Sequence, residues 1–334
     1  MQKVDVLAVR KFLPDRFVIG LLLMIVAAWL KPGVGMGEGT VNLGSVIDVG
    51  VALIFFFYGL KLNPEKIRAG MSNWQMHTAI QLTTFLIFPL IVLPFYPLLK
   101  GTPYEIFWLG MFFLAALPST VSSSVVMVSI AGGNIPGAIF NASISGIIGI
   151  VMTPLWMGIF LASGSGSFDF SSVILQLVTQ IILPVAGGLL LHRFLVRWVS
   201  RYGRQLALFD KTIILLIVYE SFSHSFESGI FSNVRVWVLA GLFGCVVALF
   251  FVVFGLTGWL ANRLRFNRED RITLLFCGSK KSLVHGSVFA SVLFAGISGS
   301  GIFLLPIMIY HAFQLFYISL VARKAGAEVS SGSF

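Results

Sequence analysis

Two adjacent lysines, Lys280 and Lys281, stand inside an otherwise apolar stretch, FCGSKKSLVHG (Phe276 to Gly286). Placing one ammonium in hydrocarbon costs on the order of 2.5 kcal/mol, so each needs water, a partner or a lost proton. Ionisable residues in such places serve function by default; the bland alternative is a lysine that snorkels or pairs to hold the segment together. Gly278, Ser279 and Ser282 would free backbone carbonyls and amides there, and their small side chains permit a second segment to cross closely. About 160 residues earlier a similar interruption occurs in LPSTVSSSVV (Leu117 to Val126). Its Ser122, Ser123 and Ser124 give three consecutive hydroxyls, of which a regular helix turns only one or two the same way. A break lets more converge, whereas an unbroken helix lets each bond back to its own carbonyls.

Other polar residues lie at helical spacing in apolar runs. GNIPGAIFNASISG (Gly133 to Gly146) places Asn141 and Ser145 on one face, with Ser143 off it. Asn141 must find a partner, either an ion or a neighbouring helix. His77, Gln81 and Thr84 form a polar stripe, and His311 and Gln314 share a face. His77, His285 and His311 suit proton or substrate contact as well as structural hydrogen bonds. Glu220 and His224 lie one turn apart, as a pair or at an entrance. There is no His/Glu metal motif, phosphate loop or nucleophile elbow, which argues against an ATP-driven pump and a hydrolase.

The elements that position these groups must be membrane helices. With 57% hydrophobic and 11% charged residues, the 334-residue chain departs from soluble composition, and lipid is its expected solvent. Ten spans are expected near 17–31, 45–62, 76–96, 105–130, 136–162, 172–195, 207–226, 232–262, 270–296 and 300–322. The first, though preceded by Lys3, Arg10, Lys11 and Arg16, lacks a small-x-small cleavage site and reads as a retained helix. With both termini cytoplasmic, the inside segments hold 18 of the 23 basic residues, including Lys61, Lys66, Arg68, Arg201 and Arg263. Topology therefore explains the net charge of +10 better than a nucleic acid partner does. Cys245 and Cys277 sit in apolar segments and indicate neither disulfide nor zinc site.

Five spans per half insert the two halves with opposite orientation, and both interruptions then fall at corresponding places, spans four and nine. Paired interruptions of this kind point to a secondary transporter's binding site; two independent kinks are the alternative. Amino-terminal half-helix ends favour anions and carboxy-terminal ends cations, so the architecture leaves the sign of the ligand open.

The chain resembles the bile acid:sodium symporter superfamily, most closely the branch with its seventh vertebrate solute-carrier member and bacterial YfeH-type proteins. The resemblance rests on FFFYGLKL (Phe55 to Leu62), Gln81 with Phe88-Pro89, PSTVSSSVV, GGN with AIFNAS (Gly132 to Ser143), YESFSHSF (Tyr219 to Phe226), FCGSKKSLVHG and IYHAFQ (Ile309 to Gln314). It implies an all-α fold of ten transmembrane helices in two inverted five-helix repeats, residues 1–162 and 163–334. Helices 1, 2, 6 and 7 would form a panel against a core of helices 3–5 and 8–10, with the broken helices 4 and 9 crossing. It also implies a sodium ion as the only cofactor-like partner, at Ser122, Ser123, Asn141 and Ser145, with Gln81 or Thr84 in place of a span-three glutamine. Where sodium-coupled members carry a glutamate and, four residues on, a glutamine, this chain has Phe276 and Lys280. An ammonium beside a sodium site repels the ion by several kcal/mol at about 4 Å. Lys280 or Lys281 is thus expected to replace one cation, as a permanent charge for an anionic substrate or as a titrating group.

The leading expectation is a secondary transporter of a small organic anion in a bacterial-type inner membrane, not an enzyme. Its site would draw on Gln81, Thr84, Ser122, Ser123, Ser124, Asn141, Ser143, Ser145, Ser279, Lys280, Lys281, Ser282, His285, His311 and Gln314. The alternatives are a sodium symporter with intact ion sites and a membrane regulatory protein that does not transport.

Overall fold

The computed structural model describes residues 16–37, 42–62, 73–120, 122–161, 175, 178–229, 231–232, 234–295 and 299–330. Of the positions raised above, Lys3, Arg10, Lys11, Lys66, Arg68, Val121, residues 172–174 and 176–177 of the sixth span, 233 of the eighth, 296 of the ninth and the junction at 162–163 lie outside them, as do the side chains of Arg16 and Ser122. Among the described residues there is no strand.

The helices, in chain order, are α1 (Arg16–Leu30), α2 (Leu43–Lys61), α3 (Trp74–Leu99), α4a (Glu105–Ala116), α4b (Ser122–Ile130) and α5 (Ile135–Leu161). There follow α6 (Val178–Arg201), α7 (Gly203–Glu227), α8 (Val236–Arg263), α9a (Arg268–Gly278), α9b (Leu283–Leu293) and α10 (Gly301–Ser330). Six of these, α2, α3, α5, α6, α8 and α10, are long and apolar enough to cross a bilayer, while α1 and α4a are apolar but shorter. Helix α7 carries Arg204, Asp210, Lys211, Glu220 and Glu227 along its length. Helices α6 and α10 run beyond the expected ends at 195 and 322, because hydropathy stops at Arg197, Arg201, Arg323 and Lys324 while long basic side chains continue a helix into water. The eighth begins at Val236 rather than at 232.

Helix α7 packs on α1 and α2, and α2 packs on α6. The α2–α6 crossing is a backbone contact: a Cβ on Gly59 would run into the Val185 carbonyl, and one on Gly188 into the Phe56 carbonyl. Small residues allow such approach where apolar burial cannot draw helices together in lipid. A second set of contacts joins α3, α4a, α5, α8, α9a and α10. The sets meet where α7 touches α9b and α10.

Three local departures from the α-helix shape the centre. Pro118 drives the preceding Leu117 to extended backbone (φ −72°, ψ 152°) and ends α4a. Between α9a and α9b the chain opens over Ser279–Ser282 without a proline, and the Ser282 hydroxyl caps α9b by accepting from the His285 amide at 3.3 Å. In α3 a π-helical turn spans Thr83–Ile87, so the Phe88 amide donates to Thr83 O, five residues back.

Candidate functional site

The two breaks are bonded to one another in both directions. Ser119 Oγ donates to Cys277 O at 2.6 Å, and the Ser282 amide donates to Pro118 O at 2.9 Å. The Ser119 amide donates to Ser145 Oγ at 2.9 Å, and the Pro118 ring lies where a Cβ on Gly149 of α5 would be. Backbone groups released by two interrupted helices thus find partners across the crossing, as buried polar groups must.

Lys280 and Lys281 are both fully buried here, facing different partners. Lys281 Nζ donates to three carbonyl oxygens, Thr84 O, Ala115 O and Leu117 O, each at 2.7 Å, and lies 4.0 Å from the centroid of the Phe88 ring. Gln314 grips the same residue's backbone, its Oε1 accepting from Lys281 N at 2.9 Å and its Nε2 donating to Lys281 O at 2.8 Å. Lys280 Nζ donates to Ser123 Oγ at 2.8 Å, and Ser123 Oγ donates to Thr120 Oγ1 at 3.0 Å. Thr120 also shares a hydrogen bond with Ser124 at 2.7 Å.

Ser123 and Thr120 line a cavity of about 510 Å³. One wall comes from Phe17, Phe55 and Tyr58; the other from Ser143, Ser282, His285 and His311. Tyr58 OH donates to Ser143 O at 2.6 Å and its ring meets His285 edge-on at 5.5 Å, so the walls touch at this point. Lys61, Lys211 and Asp210 line the end where basic residues gather, with Lys61 Nζ 3.1 Å from Asp210 Oδ2.

Apart from Ser122, each expected residue can now be placed. Gln81 Nε2 donates to Asn141 Oδ1 at 3.1 Å, and Asn141 Nδ2 donates to His77 Nδ1 at 2.7 Å and Gly137 O at 2.9 Å. Gln81 Oε1 is buried with no partner among the described residues. Thr84 contributes its carbonyl to Lys281, its hydroxyl bonding back to Ile80 O; Ser143 and Ser279 likewise bond back, to Ile139 O and Leu275 O. Ser282 shares a hydrogen bond with His285 Nδ1 at 2.9 Å, and Gln314 Nε2 reaches His311 Nδ1 at 3.2 Å. Glu220 and His224 do not form an ion pair among the described residues. Sequence reasoning missed Ser119, Thr120, Tyr58 and Tyr310, whose hydroxyl donates to Ser279 O at 2.6 Å. All four stood inside the resembling motifs, Ser119 and Thr120 in PSTVSSSVV; no spacing rule singled out the carbonyls around Lys281.

A family model for SBF-like CPA transporters matches residues 15–326. The chain belongs to that family. This SBF-like transporter is 36% identical to the uncharacterized protein PA2026 of Pseudomonas aeruginosa over 314 residues, 94% of this chain and 93% of that one. It is 33% identical over 310 residues to YfeH of Escherichia coli K12, named as a candidate symporter, covering 93% and 92% of the two chains. It is also 30% identical over 326 residues to sodium/bile acid cotransporter 7 of Rattus norvegicus, covering 94% and 96%. The SBF-like family comprises integral membrane transporters rather than enzymes.

Proposed function

We propose that this protein is a secondary transporter that moves a small organic anion by alternating access, with Lys280 standing in for a coupling cation. The observation that carries this reading is the cavity between two helix sets, which reaches the crossing of α4 and α9 at Ser123, the partner of Lys280. In this reading ten crossings form inverted repeats over residues 1–162 and 163–334. Helices α1, α2, α6 and α7 are the panel, and α3–α5 with α8–α10 the core that moves against it. Both termini are cytoplasmic in a bacterial-type inner membrane, and the cavity, bordered by Lys61 and Lys211, then opens inward.

The anion class follows from the relatives named for sodium and bile acid cotransport together with Lys61 and Lys211 in the cavity lining and Lys280 behind Ser123. Sodium itself suits the described residues poorly. Ser123 Oγ already accepts from an ammonium, Asn141 Oδ1 from Gln81 and Ser145 Oγ from the Ser119 amide. A sodium ion about 4 Å from the Lys280 charge would be repelled by about 4 kcal/mol at an intermediate dielectric.

The test is uptake of labelled cholate by proteoliposomes under inward sodium, potassium or proton gradients. Uptake without sodium that is lost in Lys280→Met is expected. Strict sodium dependence would favour the symporter with intact ion sites, and absence of both uptake and anion binding the regulatory reading.

A further inference from the structure

Among the described residues, the three carbonyls around Lys281 are oxygens without a helical donor. The Phe88 amide, which would serve Thr84 O in an α-helix, goes to Thr83 O instead. The next residue in the π register, Pro89, has no N–H to offer. Ala115 O loses the Ser119 amide to Ser145 Oγ. Leu117 stands in the break itself, where Pro118 has already ended the helix. A π-turn, a proline and a broken helix have therefore gathered three acceptors from α3 and α4 around one point, with the Phe88 ring 4.0 Å away.

Converging carbonyl oxygens are what protein filters use to replace the hydration shell of a monovalent cation, and an aromatic face adds attraction. An ammonium matches such a cage with one N–H per oxygen, and the 2.7 Å separations are those of charge-assisted hydrogen bonds. We infer that the pocket formed by Thr84 O, Ala115 O, Leu117 O and the Phe88 ring is a site for a small monovalent cation, filled in this chain by its own Lys281. The tethered charge holds α3, α4 and α9 together permanently, whereas a free ion would leave when its concentration fell.

This division deepens the transport reading by giving Lys280 to the cavity and Lys281 to the frame. Its test reads stability alone, so its failure would leave the transport reading untouched. Lys281→Ala removes three methylenes and the ammonium, a void with the shape of propylammonium. Lys281→Met removes the charge and keeps most of the volume. Both variants, and wild type, are purified in N-methyl-D-glucamine chloride with n-propylammonium, methylammonium, sodium or potassium added throughout.

The thermal midpoint of Lys281→Ala is expected to rise by about 5 °C in saturating n-propylammonium, following the logarithm of its concentration. Wild type and Lys281→Met should not respond. Recovery in alkylammoniums but not in sodium or potassium would mean that the cage requires N–H donors; recovery in both would make it a general cation site, and either supports the inference. If no cation restores Lys281→Ala, in midpoint or in yield of folded protein, the inference falls. An equal response of Lys281→Met to n-propylammonium overturns it as well, since that side chain fills the channel the propyl group would occupy.

Discussion

Around Lys281 three carbonyl oxygens and an amide side chain converge, while one residue earlier Lys280 reaches Ser123, which also lines the cavity. The two regions are built from the same break and carry the same side chain. What separates them is what the crossing helix presents: at the end of α4a it offers backbone carbonyls without donors, and at the start of α4b it offers hydroxyls. Charge satisfied by backbone acts as structure, because every element that supplies an oxygen must stay in place. Charge held by a hydroxyl that lines the cavity lies one side chain away from a solute that enters.

The contrast can be broken most forcefully at Lys281. Lys281→Met strands three buried carbonyls, each costing about 1–3 kcal/mol, and should lower stability by on the order of 4 kcal/mol in a detergent melt. Lys280→Met removes one charged hydrogen bond, and its main effect should be on solute rather than on folding: a 10- to 100-fold loss of anion affinity, roughly 1.5–3 kcal/mol, measured by titration of the purified protein. A variant pair with the opposite pattern, Lys280→Met unfolded and Lys281→Met intact but inactive, would exchange the two roles.

Smaller effects sharpen the comparison. Gly188→Val forces α6 off the Phe56 carbonyl and is expected to cost about 1–3 kcal/mol, whereas Gly241→Val on α8, where a Cβ meets nothing within 4 Å, should be close to neutral. The smallest and most specific change is Pro89→Ala in the Lys281→Met background. It restores an N–H that can reach Thr84 O, and about 1 kcal/mol of the lost stability should return. In wild type the same substitution should return nothing, because Lys281 already occupies that oxygen.

Much of this was legible in the sequence for physical reasons. Lysines in one apolar run and Pro118 in another marked both breaks, since an interrupted helix in lipid needs partners and its residue types show it. The shared face of Asn141 and Ser145 followed from helical spacing, and both are buried. The destination of each polar group was not legible. Which lysine meets carbonyls depends on the π-turn at Thr83–Ile87, and no propensity in TTFLI marks a five-residue register. The sodium ligands carried by resemblance matched residue types, but Ser119, outside that set, takes Ser145, and Lys280 takes Ser123. Charged helix ends also concealed the true lengths of α6 and α10 from hydropathy.

Anion-induced stabilisation tests the account's centre most directly. Purified wild type and Lys280→Met would be melted with rising cholate in sodium chloride and in choline chloride. Wild type should be stabilised equally in both salts, following the logarithm of cholate concentration, and Lys280→Met should not respond. Stabilisation of wild type only in sodium, or an undiminished response in Lys280→Met, would contradict it.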